Sequence, residues 1–129
     1  MQKTVLQPDT VAKPKGTYSQ GVKVSGQTLV FVAGQVSVDA RGDLVGKGDM
    51  RAQLRQVHEN VKAVLESAGA TFDNVVKTTA FVTNVEEYRK HADIRREYLK
   101  GYFPPSTVVE ISRLAQPEFL IEIEAIAVL

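Results

Sequence analysis

The sequence contains no cysteine, which excludes disulfide bridges, a thiolate nucleophile and zinc sites built from cysteine. It also has no apolar run that approaches the roughly 18 residues needed to cross a membrane. Segment 1–9 is polar and lacks the apolar stretch of a signal peptide. These absences predict a soluble, cytoplasmic protein with no membrane partner.

Neither sign of charge is in excess, because 16 Lys and Arg residues stand against 15 Asp and Glu residues and leave a net charge of +1. A nucleic-acid-binding domain normally carries a basic stripe on its surface. We therefore expect no nucleic-acid partner. The length of 129 residues fits one domain that spans residues 1–129.

Several motifs of catalysis and cofactor binding are also missing. The glycines form no phosphate-binding loop, and no serine stands in a nucleophile elbow. His58 and His91 lie on different predicted helices without the spacing of metal ligands, so both are interpreted as helix-surface residues. We expect no cofactor and no metal site. A solvated helix face is predicted for the basic residues that alternate with acidic ones, namely Arg89, Lys90, Arg95 and Arg96.

Short segments rich in β-branched residues predict the strands. The turn at Ser25-Gly26 indicates a β-hairpin between segments 22–24 and 28–34. Segment 29–33 is apolar on both faces, which is typical of a strand covered on both sides. The remaining strands are predicted at residues 3–6, 75–82, 107–111 and 120–128.

Two helices are predicted between these strands. The longer one begins after Asp49, whose side chain can cap it, and ends before Gly69. Asn84 and Glu87 resemble a capping box that opens a second helix, which continues to about Gly101. The longer helix is amphipathic, because one apolar stripe is formed by Met50, Leu54, Val57, Val61, Leu65 and Ala68.

The predicted sheet has one face without a covering layer. Two helices, each about 10 Å wide, cover only one face of a sheet of roughly six strands. Segment 28–34 and the closing strand are apolar on the other face too, and exposed apolar faces of that size are not typical of monomers. The chain is therefore predicted to bury this face against another copy of itself.

The closing strand carries a candidate for catalysis. Its alternation places Glu122 and Glu124 on one face, opposite the apolar face formed by Ile121, Ile123, Ala125 and Ala127. A carboxylate within an apolar strand is costly to desolvate unless it is paired, and such groups serve as proton carriers. The alternative is that both glutamates pair with basic residues at a subunit boundary or reach solvent.

Five segments, in order along the chain, carry a family resemblance: Gly16–Gln20, Ala33–Gln35, Asn60–Leu65, Val76–Thr79 and, as the most specific one, Ile121–Ala127. Together they resemble the RidA/YjgF family, also known as the endoribonuclease L-PSP family. The resemblance implies an α+β, chorismate-mutase-like fold with a ferredoxin-like ββαβαβ order and a mixed sheet with two helices on one face. It also implies a homotrimer with a central barrel and clefts between subunits.

The resemblance further implies a small-molecule substrate in such a cleft. In family members that hydrolyse imines and enamines such as 2-aminoacrylate to 2-oxo acids and ammonia, a glutamate of the closing strand positions the water. That glutamate corresponds to Glu122. Tyr18 and the backbone of Gly34 correspond to the groups that line the cleft and bind substrate.

Ser106 is the most consequential of three departures from the family pattern, the others being Thr17 in place of a proline and Val108 in place of a cysteine that many members have. Ser106 stands where these members have an arginine that grips the substrate carboxylate, and Thr107 and Val108 follow it. A charge-assisted Arg–carboxylate contact typically contributes about 1.5–3 kcal/mol, which a serine hydroxyl does not replace. We therefore predict an imine/enamine deaminase that is inefficient on 2-aminoacrylate and binds its substrate in part through Ser106, Thr107 and Val108.

Two further readings of the function remain open. The missing arginine motivates a non-catalytic module that binds small molecules or other proteins on the same trimeric frame. Ribonuclease activity ranks last, because the sequence has no basic groove, no paired histidines and no aromatic platform on which bases could stack.

Overall fold

The computed structural model describes residues 1–129 as an α+β fold. Its elements, in chain order, are β1 Gln2–Leu6, β2 Gly21–Ser25, β3 Leu29–Gln35, α1 Met50–Ser67, β4 Val75–Val82, α2 Val85–Arg89, α3 Ala92–Tyr98, β5 Ser106–Glu110 and β6 Ile121–Val128. A short 3-10 turn at Phe72–Asn74 precedes β4. No helix combines the length and the apolar character needed to cross a membrane.

The main sheet has four strands in the order β3-β6-β4-β5. The β4–β5 pair is parallel, whereas β6 is antiparallel to both β3 and β4, so the predicted mixed sheet is confirmed. The strands predicted at 3–6, 75–82, 107–111 and 120–128 are found to within one residue at each end.

The predicted hairpin between β2 and β3 is wrong. β2 pairs with β1 in a separate two-stranded antiparallel ribbon, so the expected sheet of roughly six strands is divided into four and two. The residues after β2 are drawn to the end of β6 instead, where the Gln27 amide donates to the Leu129 carbonyl at 3.3 Å. Gly26 packs so closely there that a Cβ atom would lie 2.5 Å from Val128 Cγ1.

α1 has the predicted boundaries and caps. The Asp49 side chain accepts a hydrogen bond from the Ala52 amide at 3.0 Å. After the helix, Gly69 has a positive φ of 77° and the Ala70 amide donates to the Leu65 carbonyl at 2.9 Å. The apolar stripe of α1 from Met50 to Leu65 is buried against β3 and β6 and forms the centre of the core, whereas Ala68, predicted as its last member, is exposed.

The second predicted helix is wrong in its length. It divides into α2 and α3, because the backbone of His91, with φ −116° and ψ 28°, leaves the helical conformation. Asn84 caps α2 as expected by accepting from the Glu87 amide at 3.0 Å. The Glu87 carboxylate contacts Lys90 and His91 at 3.0 and 3.2 Å, instead of completing a capping box with Asn84.

The two faces of the main sheet differ strongly in burial. Alternate residues of β6 from Ile121 to Ala127 are buried beneath the helices. On the opposite face, which we call the open face, Leu29 and Phe31 are 60% and 70% exposed. The apolar uncovered face that the sequence predicts is therefore present in the single chain.

His58 is not a surface residue, which corrects the interpretation from sequence. It is only 2% exposed, and its ring stacks on Tyr98 with 5.0 Å between the ring centroids. Nδ1 lies 2.8 Å from the Leu54 carbonyl, which can only accept, so the neutral ring carries its proton on Nδ1. Burial, with a smaller contribution from Arg95, lowers the pKa of His58 from 6.5 to about 4.

This buried histidine predicts a loss of stability in acid. Because the pKa of His58 is about 4 when folded and about 6.5 when unfolded, the unfolded state takes up the proton first as the pH falls. The free energy of unfolding should be unaffected above about pH 6.5 and fall by about 3 kcal/mol toward pH 4. Urea unfolding of wild type and His58→Gln at several pH values measures this contribution, and equal pH dependence in both would contradict it.

Candidate functional site

The predicted site residues fall into two groups in the single chain. Gly34 and Glu122 lie together on neighbouring strands β3 and β6. Tyr18, Ser106 and Val108 lie together around a cleft at the β5 side of the sheet. Each group holds part of what the predicted chemistry needs.

Glu122 packs directly onto the backbone of Gly34. A Cβ atom at Gly34 would lie 2.1 Å from Glu122 Oε2 and 2.6 Å from its Cδ atom, so only glycine leaves room for this carboxylate. The β3–β6 register shifts between Val32 and Gln35, where Gly34 lies, as is common beside functional sites. Glu122 is half-buried and belongs to none of the ion pairs of the chain.

The close approach predicts the effect of Gly34→Ala. Gly34 does not have a positive φ, so alanine is allowed by the backbone, and the new methyl group must displace the Glu122 carboxylate. If Glu122 is the base that the family resemblance implies, turnover should fall about tenfold or more, because small displacements of a reacting group are costly. The matched control is Gly21→Ala, whose Cβ would meet only ordinary contacts at 3.7 Å. Equal activity of the two variants, measured as ammonia release, would show that the Glu122 position does not matter.

The cleft has a volume of about 440 Å³ and lies between the loop at 15–18, the helices α2 and α3, and β5. Tyr18 is held in its wall by the next residue, since the Ser19 amide donates to the Pro104 carbonyl at 3.3 Å. The Ser19 hydroxyl also donates to the Phe103 carbonyl. The loop that carries Tyr18 is thereby tied to the segment that leads into β5.

A hydrogen-bonded chain connects Ser106 to a buried arginine. The Thr78 hydroxyl donates to the Ser106 hydroxyl at 2.7 Å, and Nη2 of Arg95 donates to the Thr78 hydroxyl at 3.4 Å. Nε of Arg95 donates to the Thr17 carbonyl at 3.1 Å, beside Tyr18. Arg95 is 4% exposed, so its prediction as part of a solvated face is wrong.

A signal for the burial of Arg95 is present in the sequence. Tyr88, His91, Arg95 and Tyr98 recur at spacings of three, four and three, which places them on one stripe of the α2–α3 segment. Arg95 belongs to the inward stripe, whereas Arg96, the next residue, is exposed to solvent. The alternation of charges along the chain concealed this pattern.

Thr107 lies apart from the cleft. It belongs to the open face of the sheet, where its hydroxyl accepts a hydrogen bond from Lys77 Nζ at 2.7 Å. Ser106 and Val108, one residue away on either side, pair with Thr78 and Ala80 and share the helix-covered face with them. The structure therefore brings Ser106 and Val108, but not Thr107, to the cleft.

A second cavity does not contain the predicted chemistry. It has a volume of about 570 Å³ and lies near the end of α1, where its lining includes Lys62, Glu66, Phe72 and Tyr98. It holds none of the predicted site residues. No group of three or more His, Asp or Glu side chains is arranged to hold a metal ion.

Comparison with known proteins identifies the family. The family model described as Endoribonuclease L-PSP matches residues 9–129. A RutC family protein of Pyrococcus abyssi is 40% identical over 127 residues that cover 98% of both chains. A 2-iminobutanoate/2-iminopropanoate deaminase of Dermatophagoides farinae is 32% identical, with 98% of this chain and 97% of that protein covered.

The crystal structure of YyfB from Yersinia pestis, a protein of unknown function in the conserved Rid family, is similar over its whole length. Its TM-score is 0.90 at 36% sequence identity, and the match covers 100% of both chains. The α+β fold with a mixed sheet that the resemblance implies is thereby confirmed. The chain belongs to the RidA/YjgF family.

Proposed function

We propose that this chain is an imine or enamine hydrolase that releases ammonia from a small reactive metabolite. The main support is Glu122, whose carboxylate lies over the Gly34 backbone and forms no ion pair with a cation of its own chain. A carboxylate left free in this way can orient a water molecule and take its proton. The relative from Dermatophagoides farinae is named as a deaminase of 2-imino acids, which supports the same reaction class.

In the proposed reaction, water adds to the carbon of the imine while Glu122 takes one proton from the water and delivers it to nitrogen. The product of this addition is a carbinolamine. A second transfer, from the new hydroxyl group to nitrogen, breaks the carbon–nitrogen bond and expels ammonia. Imine and water become a carbonyl compound and ammonia, and Glu122 returns to its initial state, so the balance requires no cofactor.

The complete site is proposed to form between copies in a homotrimer. Within one chain, β6 and β5 are separated by β4, which places them about 10 Å apart at the usual strand spacing. Glu122 also lies on the open face, whereas Ser106 faces the helices. A second copy that packs its open face against the cleft would bring Glu122 and Gly34 to Tyr18 and Ser106, and three such contacts would close a central barrel.

The preferred substrate is proposed to be an imine other than 2-aminoacrylate, because the cleft lacks the arginine that binds the carboxylate of 2-aminoacrylate. Ser106 provides a neutral hydroxyl, already bonded to Thr78, at the position where the imine-hydrolysing members have an arginine. Tyr18 and Val108 line the same cleft as Ser106. We therefore expect slow turnover of 2-aminoacrylate and faster turnover of another imine.

Ammonia release from a panel of freshly generated imines, with and without a carboxylate, tests this function. At least one imine should be hydrolysed in proportion to enzyme concentration and faster than 2-aminoacrylate. If the cleft binds stable analogues saturably but no imine is converted, the chain is a non-catalytic binding module. That result would reject the hydrolase and favour the alternative.

A further inference from the structure

The charged side chains that line the cleft beside β5 are all positive. None of the side chains that line it is an aspartate or glutamate, while four are permanent cations: Lys15, Arg89, Arg95 and Arg96. None of these four takes part in an ion pair. The four unpaired cations make this cleft locally positive, although the whole chain carries a net charge of only +1. Such a concentration attracts an anionic ligand.

Arg95 is the buried member of this group. Lys15, Arg89 and Arg96 are exposed at the rim, whereas Arg95 is 4% exposed. Burial lowers its pKa, and no carboxylate within the chain compensates the charge. A buried cation without a partner is strongly unfavourable, so the fold keeps Arg95 at this place at a cost in stability.

One nitrogen of Arg95 is left for a ligand. Nε donates to the Thr17 carbonyl and Nη2 to the Thr78 hydroxyl, while Nη1 has no partner in the chain. No fully buried side-chain nitrogen or oxygen lacks a hydrogen bond, so Nη1 must retain access to the cleft that Arg95 lines. The two bonds that Arg95 does make fix the direction of the guanidinium before any ligand arrives.

We propose that Arg95 binds the carboxylate of the ligand from α3, and that it makes the cleft selective for imino or oxo acids larger than 2-aminoacrylate. Ser106 is much smaller than an arginine, and it leaves free volume beside Arg95 within the cleft of about 440 Å³. A three-carbon acid leaves much of this volume unfilled. The anion site rests on the geometry of the cleft, and only its link to turnover rests on the proposed function.

Calorimetry with a stable oxo acid tests the anion site. We expect 4-methyl-2-oxopentanoate to bind wild type at least tenfold more tightly than its neutral amide and more tightly than pyruvate. Arg95→Met should abolish the preference for the acid over the amide. Arg41→Met removes the same charge from an exposed loop residue and should leave the binding unchanged. Equal affinity for acid and amide, or unchanged binding by Arg95→Met, would overturn the proposal.

A second measurement keeps the test valid if Arg95→Met does not fold. The Nε–H resonance of Arg95, assigned in the wild-type NMR spectrum through its absence from Arg95→Lys, should shift saturably with 4-methyl-2-oxopentanoate and not with the amide. An arginine that only stabilises the loop at 15–18 would not respond in this way. The absence of a shift at saturating acid would reject Arg95 as the anion-binding group.

The outcomes for the anion site and for the hydrolase are distinguishable. Binding of the oxo acid through Arg95 without turnover of any imine would support the anion site and reject the hydrolase. Turnover of neutral imines with no preference for acids would support the hydrolase and reject the anion site.

Discussion

Glu122→Gln should lower the rate of ammonia release about a hundredfold or more, while the affinity for an oxo acid stays close to that of wild type. The amide has almost the same shape as the carboxylate but cannot take a proton from water, and general base catalysis typically contributes 10²–10⁴-fold. The Gly34 backbone leaves the same space for either side chain. Steady-state ammonia release with the best imine of the panel measures the effect.

Glu124→Gln is the matched control for this change. Glu124 lies two residues away on the same face of β6 and is exposed, and it also takes part in no ion pair. The same loss of charge is therefore made outside the Gly34 contact. If both variants are as active as wild type, Glu122 is not the base. If both variants are equally impaired, the loss of a negative charge on β6 explains the effect, and a specific role of Glu122 is not needed.

Phe31→Asp should convert the protein to monomers and abolish turnover. Phe31 is 70% exposed on the open face in a single chain, and the proposed trimer would bury it. A carboxylate buried without a partner at that position costs several kcal/mol in each subunit, which is enough to prevent assembly. Sedimentation velocity measures the change in mass, and ammonia release measures the loss of the completed site.

The control for this prediction places the same charge on the outer side of the helix layer. Ala63 is exposed on α1, so Ala63→Asp should leave both the sedimentation coefficient and the turnover unchanged. A Phe31→Asp variant that sediments like wild type would show that the open face is not the interface. A monomeric variant with full activity would show that one chain holds the complete site.

The features predicted correctly from sequence depend on nearby residues. The ends of α1 follow from Asp49 and Gly69, which act on backbone groups within one helical turn. The alternation of β6 predicted its buried and open faces, because both faces are set by the pleat of one strand. Predictions from such local patterns are correct here because tertiary packing favours the same helix ends and strand faces.

The features predicted wrongly depend on distant residues. The Ser25-Gly26 turn has the composition of a hairpin, but its residues pack against Val128 and Leu129 at the other end of the sequence. His58 and Arg95 are polar, and their burial is decided by the layers that close over α1 and α3. Composition alone favours solvent for such side chains.

The candidate site was predicted in part. Resemblance to the family indicated Glu122 and Gly34 together, and the structure places them in direct contact. The register shift of β3 that permits this contact has no clear signal in the sequence. Arg95 was missed, because its relation to Ser106 passes through Thr78 and exists only after α3 has packed on β4.

The position of β6 in the main sheet has a consequence for biosynthesis. β6 lies between β3 and β4, although it is the last of these strands to be translated. A nascent chain can form α1 early, but β3 must wait for β6 before its backbone finds a neighbour, as in the pairing of Val30 with Ala127. During that interval the apolar strand β3 lacks its neighbour, and the large sequence separation of the β3–β6 contacts places formation of the main sheet late in folding.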